Sequence, residues 1–105
     1  MRYTFSESFG FGPKYGSTAE FELELSEQEA GLIRAFLGEN GDRDYAGLEF
    51  MNQDLFDRIN EAANEAVLAA INRTRAEAGE PPLGFDEVDW QNMGYDFYWP
   101  KELLG

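Results

Sequence analysis

The chain contains no cysteine and no histidine. Without cysteine there is no disulfide framework, no thiolate nucleophile and no Cys-based zinc or iron–sulfur site. Without histidine the commonest general base, the usual transition-metal ligand and any His-centred triad are gone. Basic residues are scarce as well: eight Lys plus Arg stand against 21 acids, for a net charge of -13. Such a field repels nucleic acid and anionic membrane and attracts cations, so direct DNA or RNA binding and membrane association are not expected. No apolar run reaches the roughly 18 residues of a membrane span. The opening "MRYTFSES" lacks the apolar core of a secretory signal, so a cytoplasmic location is the default expectation.

What remains is enough to fold. At 105 residues, 43% hydrophobic and 15% aromatic, the chain has the composition of one packed domain rather than of a disordered acidic tail. A chain of this length buries roughly 65% of its unfolded surface and needs no metal or disulfide.

Two segments alternate at period two. In "RYTFSESF", Tyr3, Phe5 and Phe9 share a face with Glu7, while Arg2, Thr4, Ser6 and Ser8 take the other. In "STAEFELEL", Ala19, Phe21, Leu23 and Leu25 oppose Glu20, Glu22 and Glu24. The Gly/Pro-rich "GFGPKYGS" between them predicts an antiparallel hairpin with one buried and one solvated face. "SEQE" at Ser26–Glu29 is a capping box, and the helix it opens carries Ala30, Ile33, Phe36 and Leu37, with Gly38 as its expected stop. "YAGLEFM" predicts a short helical turn. From about Asp54 to Ala78 the chain runs without Gly or Pro, acids Asp54 and Asp57 at its start and Arg73 and Arg75 near its end, and "GEPP" stops it. Its apolar positions fall on two adjoining stripes, Leu55-Ile59-Ala62-Ala66-Ala69 and Phe56-Ala63-Val67-Ala70-Ile71. A further turn, capped by Asp86 and presenting Val88 and Trp90, is expected before "GYDFYW", whose composition is that of a strand ended by Pro100. The expected fold is an α+β two-layer sandwich in the order β-β-α-α-β. A small antiparallel sheet, the N-terminal hairpin plus the C-terminal strand, packs against two or three helices.

Candidate sites are few. Asn40, Asp42 and Asp44 follow the alternate oxygen-ligand spacing of an EF-hand loop. The loop's glycine position holds Tyr45, though, its closing glutamate position holds Met51, and Glu49 comes two residues early, so no metal site is expected. "GFGPKYG" has neither a dinucleotide fingerprint nor a P-loop lysine, and it precedes a strand rather than a helix. Asn60, Asn64 and Asn72 are poor helix formers on a long helix, which points to side-chain hydrogen bonds or an interface.

Two features suit a protein partner. Glu20, Glu22 and Glu24 form an acidic row on one strand face, suited to a basic partner. In the C-terminal strand, Tyr95, Phe97 and Trp99 are expected in the core, with Asp96 and Tyr98 outward. Tyr98 with Trp90, Tyr15 and Phe11 makes a candidate exposed aromatic patch. The sequence therefore points to a cofactor-free, non-enzymatic interaction module, with a homodimer through an edge strand as a variant of it. The alternative is a small carboxylate-based enzyme or ligand-binding domain, which a pocket holding buried acids would favour.

Overall fold

Alternation builds the sheet as expected. A computed structural model describes residues 1–10, 16–41 and 45–104. Strands β1 (Arg2–Gly10), β2 (Ser17–Glu24) and β3 (Gly94–Tyr98) form one antiparallel sheet in the order β2-β1-β3. The register aligns Tyr3 with Leu23, Phe5 with Phe21 and Glu7 with Ala19, and on the other side Glu7 with Phe97 and Phe9 with Tyr95. One face is therefore aromatic and aliphatic, and helices cover it.

Helix α1 (Glu27–Asn40) starts on the capping box: the Glu29 amide donates to Ser26 Oγ at 3.1 Å and the Ser26 amide to Glu29 Oε1 at 2.9 Å. Gly38 does not end it. The helix continues to Asn40 and closes on Gly41, whose φ of 77° and ψ of -176° make a backbone conformation open essentially to glycine and whose N–H donates to the Leu37 carbonyl. Gly38 sits inside the helix because the chain turns only one turn later.

Helix α2 (Gln53–Glu77) begins at Asn52, whose side chain accepts the Leu55 amide at 3.0 Å. It ends in a Schellman motif, with Gly79 N–H donating to Ala76 O and Glu80 N–H to Arg75 O. The buried line is Leu55, Ile59, Ala63, Val67 and Ala70. It cuts across the two expected stripes: Ala62 and Ala66 are half-buried and Ala69 is exposed. The buried residues follow the i, i+4 row, which is inclined to the helix axis, rather than a line parallel to it. Small residues there let α2 lie close over β2, where Ala19 meets Val67 and Ala70.

The main core joins Phe5, Ile33, Phe36, Leu48, Leu55, Ile59, Phe97, Trp99 and Leu103. Phe5 stacks on Phe21 at 5.1 Å, and Phe97 meets Trp99 edge-on at 5.0 Å. Leu48 comes from the 3₁₀ turn Ala46–Phe50, the expected short turn, and Leu103 from the C-terminal α3 (Lys101–Leu104). Arg58 ties α2 to the start of α1: it pairs with the Glu29 carboxylate and donates to the Glu24 carbonyl at 2.8 Å. The Ser26 amide bond first, and then Arg58, hold the Glu29 carboxyl below its ordinary pKa. Among the described residues no helix is long and apolar enough to cross a membrane.

Candidate functional site

The sheet's uncovered face gathers five of the six expected partner-binding residues. Tyr98 and Glu20 flank Ser6, Asp96 lies beside Ser8, and Glu22 and Glu24 lie opposite Thr4 and Arg2. All five are exposed, Tyr98 at 51%. The acidic row is partly neutralised. Glu24 pairs with the Met1 ammonium at 2.8 Å, which holds its carboxyl below the ordinary pKa, and Arg2 reaches Glu22 at 3.5 Å and Glu24 at 3.9 Å. Glu20 and Asp96 have no such cation among the described residues.

Trp90 does not join that face. It is half-buried on the opposite, helix-covered side, with its ring 4.9 Å from Phe85 and its indole N–H donating to the Phe85 carbonyl at 2.9 Å. The other two members of the expected patch, Phe11 and Tyr15, lie outside the described residues, as do Asp42 and Asp44 of the EF-hand-like spacing.

The residue that stands out is Glu7. It lies mid-strand in β1, on the apolar face, between Ala19 and Phe97. It is 3% exposed, and among the described residues it is the only buried polar or charged one. No described residue gives its carboxyl a hydrogen bond or an ion pair. Burial raises its pKa from 4.5 to about 7. Its carboxyl borders a cavity of about 340 Å³ lined by Glu7, Tyr45, Asn64, Val67, Phe85, Trp90, Met93 and Tyr95.

Each wall has a local cause. On α2, Val67 sits in the buried row and Asn64 one turn before it, half-buried. Tyr45 is pinned by its hydroxyl, which donates to Asn60 Oδ1 at 2.9 Å, and by ring contact with Phe97 at 4.8 Å. The outer wall is the segment 84–93, two single 3₁₀ turns, Phe85–Glu87 and Trp90–Asn92. The first is capped at Gly84, whose amide donates to Glu87 Oε1 at 2.7 Å; Asp86, the expected cap, lies two residues further along and sits inside the turn. Asn72 anchors the wall to α2 by accepting the Leu83 amide at 2.7 Å and donating to the Leu83 carbonyl at 3.0 Å. Two of the three helix asparagines thus satisfy neighbouring segments, and the third lines the cavity.

Tyr95 was expected in the core with Phe97 and Trp99, and it is 49% exposed instead. It points to the covered side, but the 84–93 segment leaves a cavity beside it, so Tyr95 and Phe85, also 49% exposed, form the rim. Sequence patterning put Glu7 in register with Tyr3, Phe5 and Phe9 without marking it as a site residue. That register was the available signal: a carboxylate in a core position is either paired or functional.

No protein-family model matches the chain, and no curated protein or solved structure is significantly similar to it.

Proposed function

We propose that this protein is a small-molecule-binding domain whose site is the cavity over Glu7. The observation that carries this reading is a carboxyl side chain 3% exposed, unpaired among the described residues, at the edge of a cavity of about 340 Å³. Burying an unpaired carboxyl costs on the order of a few kcal/mol, whichever protonation state it adopts. A leucine at position 7 would complete the apolar face without that cost. Retaining the acid makes sense if something enters the cavity and meets it. Aromatic walls with one placed polar group are the usual make-up of a ligand pocket, and the volume lies at the small end of the usual range of roughly 300–1,000 Å³. Glycosidase-type chemistry uses two carboxylates flanking the bond, and among the described residues Glu7 is alone in this cavity, which favours binding over turnover. The absence of cysteine suits a reducing cytoplasm.

The test is a panel of small aromatic fragments screened by protein-observed NMR, repeated on Asn64→Phe, which places a ring in the cavity from a half-buried helix position. Hits whose shifts map to Trp90, Met93 and Glu7 and vanish in the variant are expected. A panel without such hits would count against the reading.

A second reading is a protein-interaction module using the open sheet face. Its support is the convergence there of Tyr98, Asp96, Glu20, Glu22 and Glu24. The occupant would be a basic protein, since the chain carries -13 net charge. Capture of a partner in low salt should be lost when Glu20, Glu22 and Glu24 become Gln together; capture unchanged by that triple substitution rules out the acidic row. The homodimer variant predicts a doubled mass in light scattering, and a monomer at high concentration eliminates it.

A further inference from the structure

The chemistry around Glu7 narrows the ligand class. Resting on the small-molecule reading above, we infer that the cavity takes a protonated amine of about single-ring size, its ammonium donating to Glu7 and its apolar body lying among Phe85, Trp90 and Tyr95.

Four observations converge on this class. First, among the described residues Glu7 has no cation of its own: none of the lysines or arginines among them lines the cavity. Arg2 is paired with Glu22 and Glu24, Arg58 with Glu29, and Arg75 with Glu80, all away from this site. A carboxylate in an apolar surround gains most from a ligand that brings the missing positive charge and the N–H donors. Second, the other lining groups suit a cation. Trp90, Tyr95, Tyr45 and Phe85 present rings, and an ammonium near a ring face gains roughly 0.5–2 kcal/mol. Third, a chain of net charge -13 raises the local concentration of cations and lowers that of anions, so an anionic ligand meets an opposing field before reaching the rim. Fourth, Val67 and Met93 close the interior with apolar surface, which leaves a polyamine with nothing to hold its second charge and favours a monocation with an apolar body.

Binding is proton-linked. Among the described residues, the groups facing Glu7 are Ala19 from β2, Phe97 and Tyr95 from β3, Val67 and Asn64 from α2, Tyr45, and Phe85, Trp90 and Met93 from the outer wall. Tyr45 and Tyr95 carry phenols, and no second carboxyl, lysine or arginine stands among these groups. The proton that counts is thus Glu7's own, with a pKa of about 7. Below that pH the ammonium must displace it; above, the carboxylate is already charged. An aliphatic amine keeps its charge throughout, so its affinity should rise about tenfold from pH 6 to pH 8 and then level. A neutral ligand that accepts a hydrogen bond from the protonated carboxyl would show the opposite slope.

The experiment uses 2-phenylethylamine, 2-phenylethanol and 3-phenylpropionate as cationic, neutral and anionic probes, titrated into the full chain at pH 6 and pH 8. Shifts of the Trp90 indole and the Glu7 amide report occupancy. The amine is expected to bind at least about tenfold tighter than the alcohol at pH 8, a difference of about 1.4 kcal/mol, and the carboxylate not to bind. Glu7→Gln, isosteric and free of the buried charge, should fold, lose that preference and lose the pH dependence. If the alcohol binds the cavity as tightly as the amine, or if the amine survives Glu7→Gln unchanged, the charge class is wrong while the cavity remains a ligand site. If none of the three moves a cavity resonance, both this inference and the small-molecule reading fall.

Discussion

Glu7 and Phe97 are partners across the β1–β3 register, so the buried carboxyl of the central strand faces an aromatic ring rather than a cation. This arrangement has a direct consequence for stability against pH. The unfolded carboxyl titrates near 4.5 and the folded one at about 7. Between these values the folded chain holds a proton that the unfolded chain has lost, so stability falls as pH rises through this window. Below 4.5 the contribution is fully present, and above about 7 it is gone. The carboxyl faces an open cavity, so the loss is discounted to on the order of 2 kcal/mol. In Glu7→Gln this component should vanish. Thermal denaturation of both chains from pH 5 to pH 8 checks it: the wild type should lose melting temperature relative to the variant, and parallel curves would show that Glu7 does not titrate in this range.

Asn72 should prove to be the anchor of the cavity's outer wall. Asn72→Ala removes both hydrogen bonds to Leu83 and leaves that residue's amide and carbonyl part-buried. The cost of the lost pair is about 2 kcal/mol, offset by roughly 0.6 kcal/mol of better helix propensity, so a net loss of about 1 kcal/mol is expected. Hydrogen exchange is the sharper readout. The Leu83 amide should lose protection while the α2 amides keep theirs; equal loss along α2 would mean that the asparagine supports the helix instead.

The fold was legible because period-two and helical patterns answer to burial alone. Tyr3, Phe5, Phe9 and Ala19 had to share a face, and "SEQE" had to open a helix, whatever else the chain did. Two kinds of feature were not legible. Gly38 and Gly41 both carry the helix-stop signal, and only tertiary context decides which is used. The site was hidden because its parts are scattered: Glu7 in β1, Tyr45 after α1, Asn64 and Val67 in α2, and three residues of an irregular segment. No spacing rule joins them. Only Glu7's place in an apolar register betrayed it. Trp90 and Tyr95 were misplaced for a related reason, since an irregular segment of two single 3₁₀ turns gives no periodicity from which to read direction.

The two glycines of α1 give an opposed pair of substitutions. Gly38 lies within the helix, and a β-carbon there would meet nothing within 4 Å, so Gly38→Ala should stabilise by roughly 0.5–1 kcal/mol. Gly41 has φ of 77° and ψ of -176°, so Gly41→Ala forces an L-residue into a region essentially restricted to glycine and should destabilise by roughly 1–3 kcal/mol. Urea denaturation of the two variants should therefore move in opposite directions. A stabilising Gly41→Ala would mean that the helix does not end there.

Neighbours in "FYWP" should respond very differently to truncation. Trp99 is 5% exposed and packs against Phe5, Phe36 and Phe97, so Trp99→Ala should cost about 3–5 kcal/mol. Tyr98 is 51% exposed on the open face, and Tyr98→Ala should cost under about 1 kcal/mol, mostly lost strand propensity. A third substitution separates ring packing from polarity. Among the described residues the Trp99 indole N–H is buried without a hydrogen-bond partner, a penalty that Phe does not carry. Trp99→Phe leaves a smaller ring in the same pocket, and relief of the orphan donor offsets much of the lost volume, so its net cost should be about 1 kcal/mol. Equilibrium unfolding of the three variants checks the order. Should Trp99→Phe prove as damaging as Trp99→Ala, the indole N–H has a partner in solution and the core around it is wetter than its burial indicates.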